Sequence, residues 1–244
     1  MKIALCLFGQ PRYITNNKIF EHHRKAIYSQ GDVDVFAHCW FDKKISVFDQ
    51  SDWSYSKNLI VDKNTIEIIE EKYKPKKKIF EQQKDFTPNL NVKSVVDNLP
   101  DQRFNNDKNI FNIFSQLYSI QKSIELFQEY CKESSEKYDF LVLTRYDVML
   151  WSFPVLEKMA KNKYYIGGYD NVGGSYPGFN DYIHILDPVL SDACKCFDHI
   201  ENILKECESL CIEEIKQIFL AKTVCYPKIV KYIGKDLLSE IVRK

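Results

Sequence analysis

The run Phe140-Leu141-Val142-Leu143 is short, apolar and unbroken, and it constrains the fold more than any other segment. Its length suits a strand covered on both faces, as in sheets sandwiched between helices. The run then breaks at once into Thr144-Arg145-Tyr146-Asp147, with a cation and an anion two residues apart at the carboxyl end of the strand. Charges there are costly to desolvate without partners. That edge is also where open α/β sheets bind their ligands.

The amino-terminal segment points to the same class. Residues 2–8 read as a buried strand ending at Gly9-Gln10-Pro11-Arg12, residues 19–29 as a helix and residues 32–40 as a second strand. A β-α-β start of this size implies a parallel pair and an α/β fold. Further on, the pattern predicts a helix over 65–73 with Asn64 as N-cap and a strand over 76–82. Residues 84–108 are polar and irregular and read as a surface insertion. Ile110, Phe114, Leu117, Ile120, Ile124, Phe127 and Cys131 recur at three- and four-residue steps, which makes an amphipathic helix of about six turns. Gln116, Ser119 and Ser123 form a polar stripe beside that face. A strand over 138–150, a short helix at 154–161, strands at 164–167 and 182–186, a helical stripe over 190–211 broken near Ser209, and a helix over 212–221 complete the pattern.

The expected fold is therefore α/β, a single Rossmann-type, mostly parallel sheet flanked by helices. Residues 1–150 would form the ligand-binding half and 151–244 a second, acceptor-facing half. A length of 244 residues with 45% hydrophobic content is ample for one core. With 34 basic against 34 acidic residues the chain has no global pull toward nucleic acid or membrane. Arginine is scarce: only Arg12, Arg24, Arg103, Arg145 and Arg243 occur. The eight cysteines show no compact disulfide framework. There is no run of about 18 apolar residues, so no membrane span is expected. Together with the absence of a leader after Met1, these features predict a reducing, cytoplasmic setting.

Candidate site residues follow from strand ends and loops. A carboxylate at a strand tip, Asp147, can anchor a hard divalent cation, Mn²⁺ or Mg²⁺, that bridges phosphate oxygens as a Lewis acid. Alternatively it is a near-surface aspartate paired with Arg145 in a turn. Arg145 and Arg12 suit phosphate through bidentate guanidinium contacts, with Gly9 and Gln10 shaping the turn before Arg12. His38 and Trp40 end the second strand, where a base could stack, although a large aromatic there is also ordinary core. Gln116 faces either a ligand or a helix contact. Residues 167–178 hold five of the chain's eight glycines and read as a mobile lid. Asp181 follows that loop and could act as a base toward an acceptor hydroxyl, or cap a turn. Cys194, Cys196, Cys207, Cys211 and His199 invite a zinc reading, but Cys207 and Cys211 lie on the apolar helical stripe, where free thiols behave as small hydrophobes.

Four segments in order carry a resemblance: the opening Lys2-Ile3-Ala4-Leu5-Cys6-Leu7-Phe8-Gly9-Gln10-Pro11-Arg12, then Asp34-Val35-Phe36-Ala37-His38-Cys39-Trp40, then Phe114-Ser115-Gln116-Leu117-Tyr118-Ser119, then Thr144-Arg145-Tyr146-Asp147. Their succession resembles glycosyltransferases of the GT-A type from bacteria and large viruses that build surface or capsular polysaccharide. The resemblance excludes about residues 41–108. It implies a nucleotide-sugar donor, a glycan acceptor, a Rossmann-like sheet and usually Mn²⁺ or Mg²⁺. On this basis Gly9, Gln10, Arg12, His38, Trp40, Gln116, Arg145 and Tyr146 form the expected nucleotide-sugar-binding set. Asp147 would be the last aspartate of the family's Asp-x-Asp motif and the metal ligand. Arg145 stands where that motif begins, and metal-independent proteins with basic residues in this role exist among such folds. Competing classes are a sugar-nucleotide nucleotidyltransferase, which should carry a glycine-rich phosphate loop after the first strand, and a catalytically inactive nucleotide- or carbohydrate-binding module. An NAD enzyme is disfavoured because no Gly-x-Gly-x-x-Gly follows that strand.

Overall fold

The first strand, β1 (Lys2–Phe8), is buried from Ile3 onward. It leads through α1 (Asn17–Ala26) into β2 (Asp32–Trp40). The Asn16 side chain caps α1 by accepting from the Lys18 N–H, and the helix gives way to a 3-10 turn at Tyr28–Gln30. Next come β3 (Val47–Phe48), β4 (Leu59–Ile60), α2 (Thr65–Tyr73), β5 (Lys77–Glu81), α3 (Leu90–Asp97) and the long α4 (Asp107–Ser134). The carboxyl-terminal part holds β6 (Phe140–Arg145), β7 (Val148–Leu150), β8 (Tyr164–Gly168), β9 (Phe179–Leu186), α5 (Ile200–Leu204), α6 (Ile212–Thr223), β10 (Ile229–Tyr232) and β11 (Ser239–Ile241). This computed structural model describes residues 1–42, 47–48, 59–86, 90–103, 105–168, 179–223, 229–232 and 239–241. For 47–48, 59–60, 90, 167–168, 179–182, 229–232 and 239–241 it describes the backbone alone.

Seven strands form one sheet in the order β10-β8-β9-β6-β1-β2-β5. β1 lies between β2 and β6 and is parallel to both, with Leu5 opposite Val35 on one side and Val142 on the other. β2–β5 and β8–β10 are also parallel, while β9 runs against both of its neighbours. The expected α/β architecture with a mostly parallel sheet is observed. Strands from both expected halves belong to this one sheet.

Alternation along the strands builds two cores. Ile3, Leu5, Leu7, Val35, Val142, Ile183 and Ile185 face one way, against a layer that includes Ile69 and Tyr73 of α2. Ala4, Cys6, Phe8, Phe36, Leu141 and Leu143 face the other, under Ile120, Ile124 and Phe127 of α4 and Leu220 of α6. Each large side chain buried in this way contributes about 1.5–3 kcal/mol. Burial on both faces is why these strands read as continuous apolar runs.

Several local expectations are corrected. Within 84–108 the chain forms α3, whose Val92 and Val96 pack with Leu99 against Phe114 and Ile203. The apolar residues spaced four apart give the helix a buried stripe within an otherwise polar segment. The strand expected over 138–150 is two strands, because the chain turns at Tyr146 and Asp147. The helix expected over 154–161 is a single 3-10 turn at Leu156–Lys158. Over 190–211 the long helix is replaced by 3-10 turns at Pro188–Cys194 and Cys196–His199 followed by the short α5. Pro188 opens the first turn and Asp187 caps it through the Val189 N–H. Among the described residues no helix is long and apolar enough to cross a membrane.

Candidate functional site

β1 connects through α1 to β2 on one side, while β6 occupies the other side of β1. The sheet order therefore reverses between β1 and β6, and the edge beyond their carboxyl ends is where open α/β sheets form their ligand crevice. Phe8 of β1 is the register partner of Arg145 of β6. This places Gly9-Gln10-Pro11-Arg12 beside Arg145-Tyr146-Asp147, segments more than a hundred residues apart in the chain.

Gly9 turns the chain out of β1 with φ +95°, a backbone conformation that favours glycine. A Cβ built there would meet nothing within 4 Å, so the space beside Gly9 is open. Its N–H donates to Ser119 Oγ at 2.7 Å and its carbonyl accepts from the Trp40 N–H at 3.0 Å. The Gly9 backbone is thus fixed by α4 and β2. Gln10 Oε1 accepts from Arg12 Nε at 2.8 Å, and Gln10 Nε2 donates to Gln83 Oε1 at 2.9 Å. The turn after β1 therefore holds the Arg12 guanidinium in a defined direction.

His38 and Trp40 sit beneath this turn. His38 is fully buried between Ser119 Oγ (2.6 Å from Nδ1) and Glu81 Oε1 (3.0 Å from Nε2). Burial holds the imidazole below its ordinary pKa and hence neutral. The hydrogen bond from His38, aided by Lys84, pulls the Glu81 carboxyl down to about 2. An ionised Glu81 accepts, so Nε2 carries the proton and Nδ1 accepts from the Ser119 hydroxyl. A relay runs from the Gly9 amide through Ser119 and His38 to Glu81. Trp40 is buried, donates through Nε1 to the Ser115 carbonyl at 3.0 Å, and stacks on Tyr118 with centroids 5.3 Å apart. Both residues, read from the sequence either as base contacts or as ordinary core, are buried and form a packed floor beneath the Gly9 turn. Tyr118, half-buried, lies between Trp40 and Lys84, whose Nζ sits 4.3 Å from the ring centroid. Gln116 is half-buried on α4, one turn of which also carries Ser115 and Ser119.

At the end of β6, Arg145 grips Asp147 with both arms of its fork: Nε to Oδ1 at 2.8 Å and Nη2 to Oδ2 at 2.6 Å. The Asp147 side chain is only 1% exposed, against 17% for Arg145. The expectation of a near-surface carboxylate is corrected: Asp147 is enclosed, because burial beside a guanidinium is the arrangement that satisfies its charge. Tyr146 points into the core with its hydroxyl 3.3 Å from the His38 carbonyl, so its side chain supports the floor instead of facing a ligand. Among the described residues, two buried hydroxyls near these strand ends, Ser115 Oγ and Thr144 Oγ1, have no protein partner.

Mn²⁺ or Mg²⁺ is a poor fit to this arrangement. Such ions take several oxygen ligands, waters among them, and both Asp147 oxygens already accept from Arg145 in an enclosed position. Among the described residues no group of three or more His, Cys, Asp or Glu is gathered for a metal. The same holds for the zinc reading of Cys194, Cys196, Cys207, Cys211 and His199. Those four thiols are free, and burial raises them, Cys196, Cys207 and Cys211 to about 12.

Asp181 lies in β9, whose reversed direction brings it into the sheet from the same edge. It stands two residues before Ile183, the register partner of Thr144. Its side chain lies outside the described residues, as do residues 169–178 of the glycine loop. The backbone of Gly168 pairs with that of Phe179, so the described strands on either side of that loop meet next to β6. Sequence reasoning missed Ser119, Glu81, Gln83 and Tyr118 as site-forming residues. Ser119 had a signal as a member of the polar stripe on α4, and Tyr118 one as its neighbour in the segment 114–119 that carries the resemblance. No family model matches this chain, and a search of curated proteins finds no match to it.

Proposed function

We propose that the chain is a glycosyltransferase that binds a nucleotide-sugar in the crevice between β1 and β6 and transfers the sugar to a glycan acceptor. The observation that carries this reading is that two arginines held by local hydrogen bonds, Arg12 and Arg145, stand with the open Gly9 turn on the adjacent strand ends where the strand order reverses. Guanidinium forks match phosphate oxygens, and open α/β sheets bind nucleotides at such a reversal. In the reaction the bond between the sugar's anomeric carbon and the phosphate oxygen breaks, and the diphosphate departs with the electron pair. The acceptor hydroxyl oxygen bonds to the anomeric carbon and loses its proton to a base, a part this reading gives to Asp181, whose backbone lies at the same edge. Arg12 and Arg145 would orient the donor and offset charge developing on the diphosphate. The test is a thermal-shift panel of UDP-, GDP-, dTDP- and CMP-sugars, because a ligand that binds only the native state raises the melting temperature. A shift with one nucleotide class, larger than with its free monophosphate, supports the reading. A flat response across the panel removes it.

A further inference from the structure

We infer that the crevice takes a diphosphate through the Arg145 guanidinium, held in place by Asp147, without a bridging divalent cation. The inference rests on the nucleotide-sugar reading and specifies which group meets the donor's charge. Asp147 is enclosed, and its fork partner is the more exposed member of the pair. The guanidinium is therefore the member of the pair that solvent, and a ligand, can reach. A divalent ion bound by Asp147 would have to displace two charge-assisted hydrogen bonds and then sit against a fixed positive charge.

The geometry suits a direct contact with the anion. Of the five N–H donors on a guanidinium, Asp147 engages one from Nε and one from Nη2, which fixes the plane of the fork. Fixing the side chain before ligand arrives lowers the ordering cost of binding. Arg12, in the turn after β1, is held by a single such bond, its Nε donating to the side-chain oxygen of Gln10. Each arginine is braced by an acceptor two residues away in its own strand-end turn. Preset forks on the adjacent ends of β1 and β6 suit a dianionic bridge such as a nucleoside diphosphate.

The test is calorimetric titration of the full chain with UDP, GDP, dTDP and inorganic pyrophosphate, in EDTA and again in Mn²⁺. At least one nucleoside diphosphate is expected to bind in EDTA, with Mn²⁺ changing its Kd by less than about tenfold. Arg145→Lys keeps a positive charge but loses the fork, and is expected to weaken binding in EDTA by about tenfold or more. Binding that appears only with Mn²⁺ overturns the inference and leaves the nucleotide reading standing. So does an Arg145→Lys protein that binds in EDTA as tightly as wild type. Failure of every ligand to bind in either condition removes both.

Discussion

His23, His38 and His184 are buried, and each is bonded through both ring nitrogens. For His23 the Nε2 proton goes to the Val148 carbonyl, so Nδ1 accepts from the Tyr73 hydroxyl. Burial lowers its pKa from 6.5 to about 4. Between those values the unfolded chain binds a proton that the folded chain does not, so stability rises with pH across the window. Stability should be full above about pH 6.5 and fall by about 3 kcal/mol for this residue as pH drops to 4. His38 and His184 are shifted the same way and steepen the loss. Urea denaturation at stepped pH checks this, and His23→Gln should flatten the acid limb. Ser119 makes a second case, since it accepts from Gly9 and donates to His38. Ser119→Ala strands two buried polar groups and should cost about 2–4 kcal/mol. A loss below about 0.5 kcal/mol would mean that the relay through His38 does not hold Gly9.

At the scale of elements, α4 links the crevice to the core. Asn106 caps it by accepting from the Asn109 N–H at 2.8 Å, and Asn106→Ala should cost about 1 kcal/mol in thermal or chemical unfolding. An unchanged midpoint would show that the first turn of α4 is held by α3 packing instead. What was legible in the sequence depends on locality. β2 and α2 are found at their expected bounds because strand alternation and helical spacing act over a few residues. The series Leu190, Ala193, Phe197, Ile200 and Leu204 fits a helix by spacing alone, yet its first three members lie in 3-10 turns and only Ile200 and Leu204 fall on a helix, α5. The candidate site was legible as strand ends, not as contacts. Gly9 meets Ser119 across 110 positions and His38 meets Glu81 across 43. No local pattern encodes such pairs. Arg145 and Asp147 are the exception: their alternation allowed either a metal anchor or an ion pair, and the geometry is that of the ion pair.

For the whole molecule, the reversal of strand order between β1 and β6 sets where a ligand can lie. Three segments distant in sequence come to that edge: residues 9–12, residues 144–147 and the start of β9 with Asp181. The most direct measurement is hydrogen–deuterium exchange of the full chain with and without the sugar nucleotide that gives the largest thermal shift. A donor seated in the crevice should slow exchange in peptides covering 9–13 and 144–148, and leave the distant turn at Leu156–Lys158 unchanged. Protection confined to other parts of the chain, with 9–13 and 144–148 exchanging as in the free protein, would contradict a nucleotide-sugar site between β1 and β6.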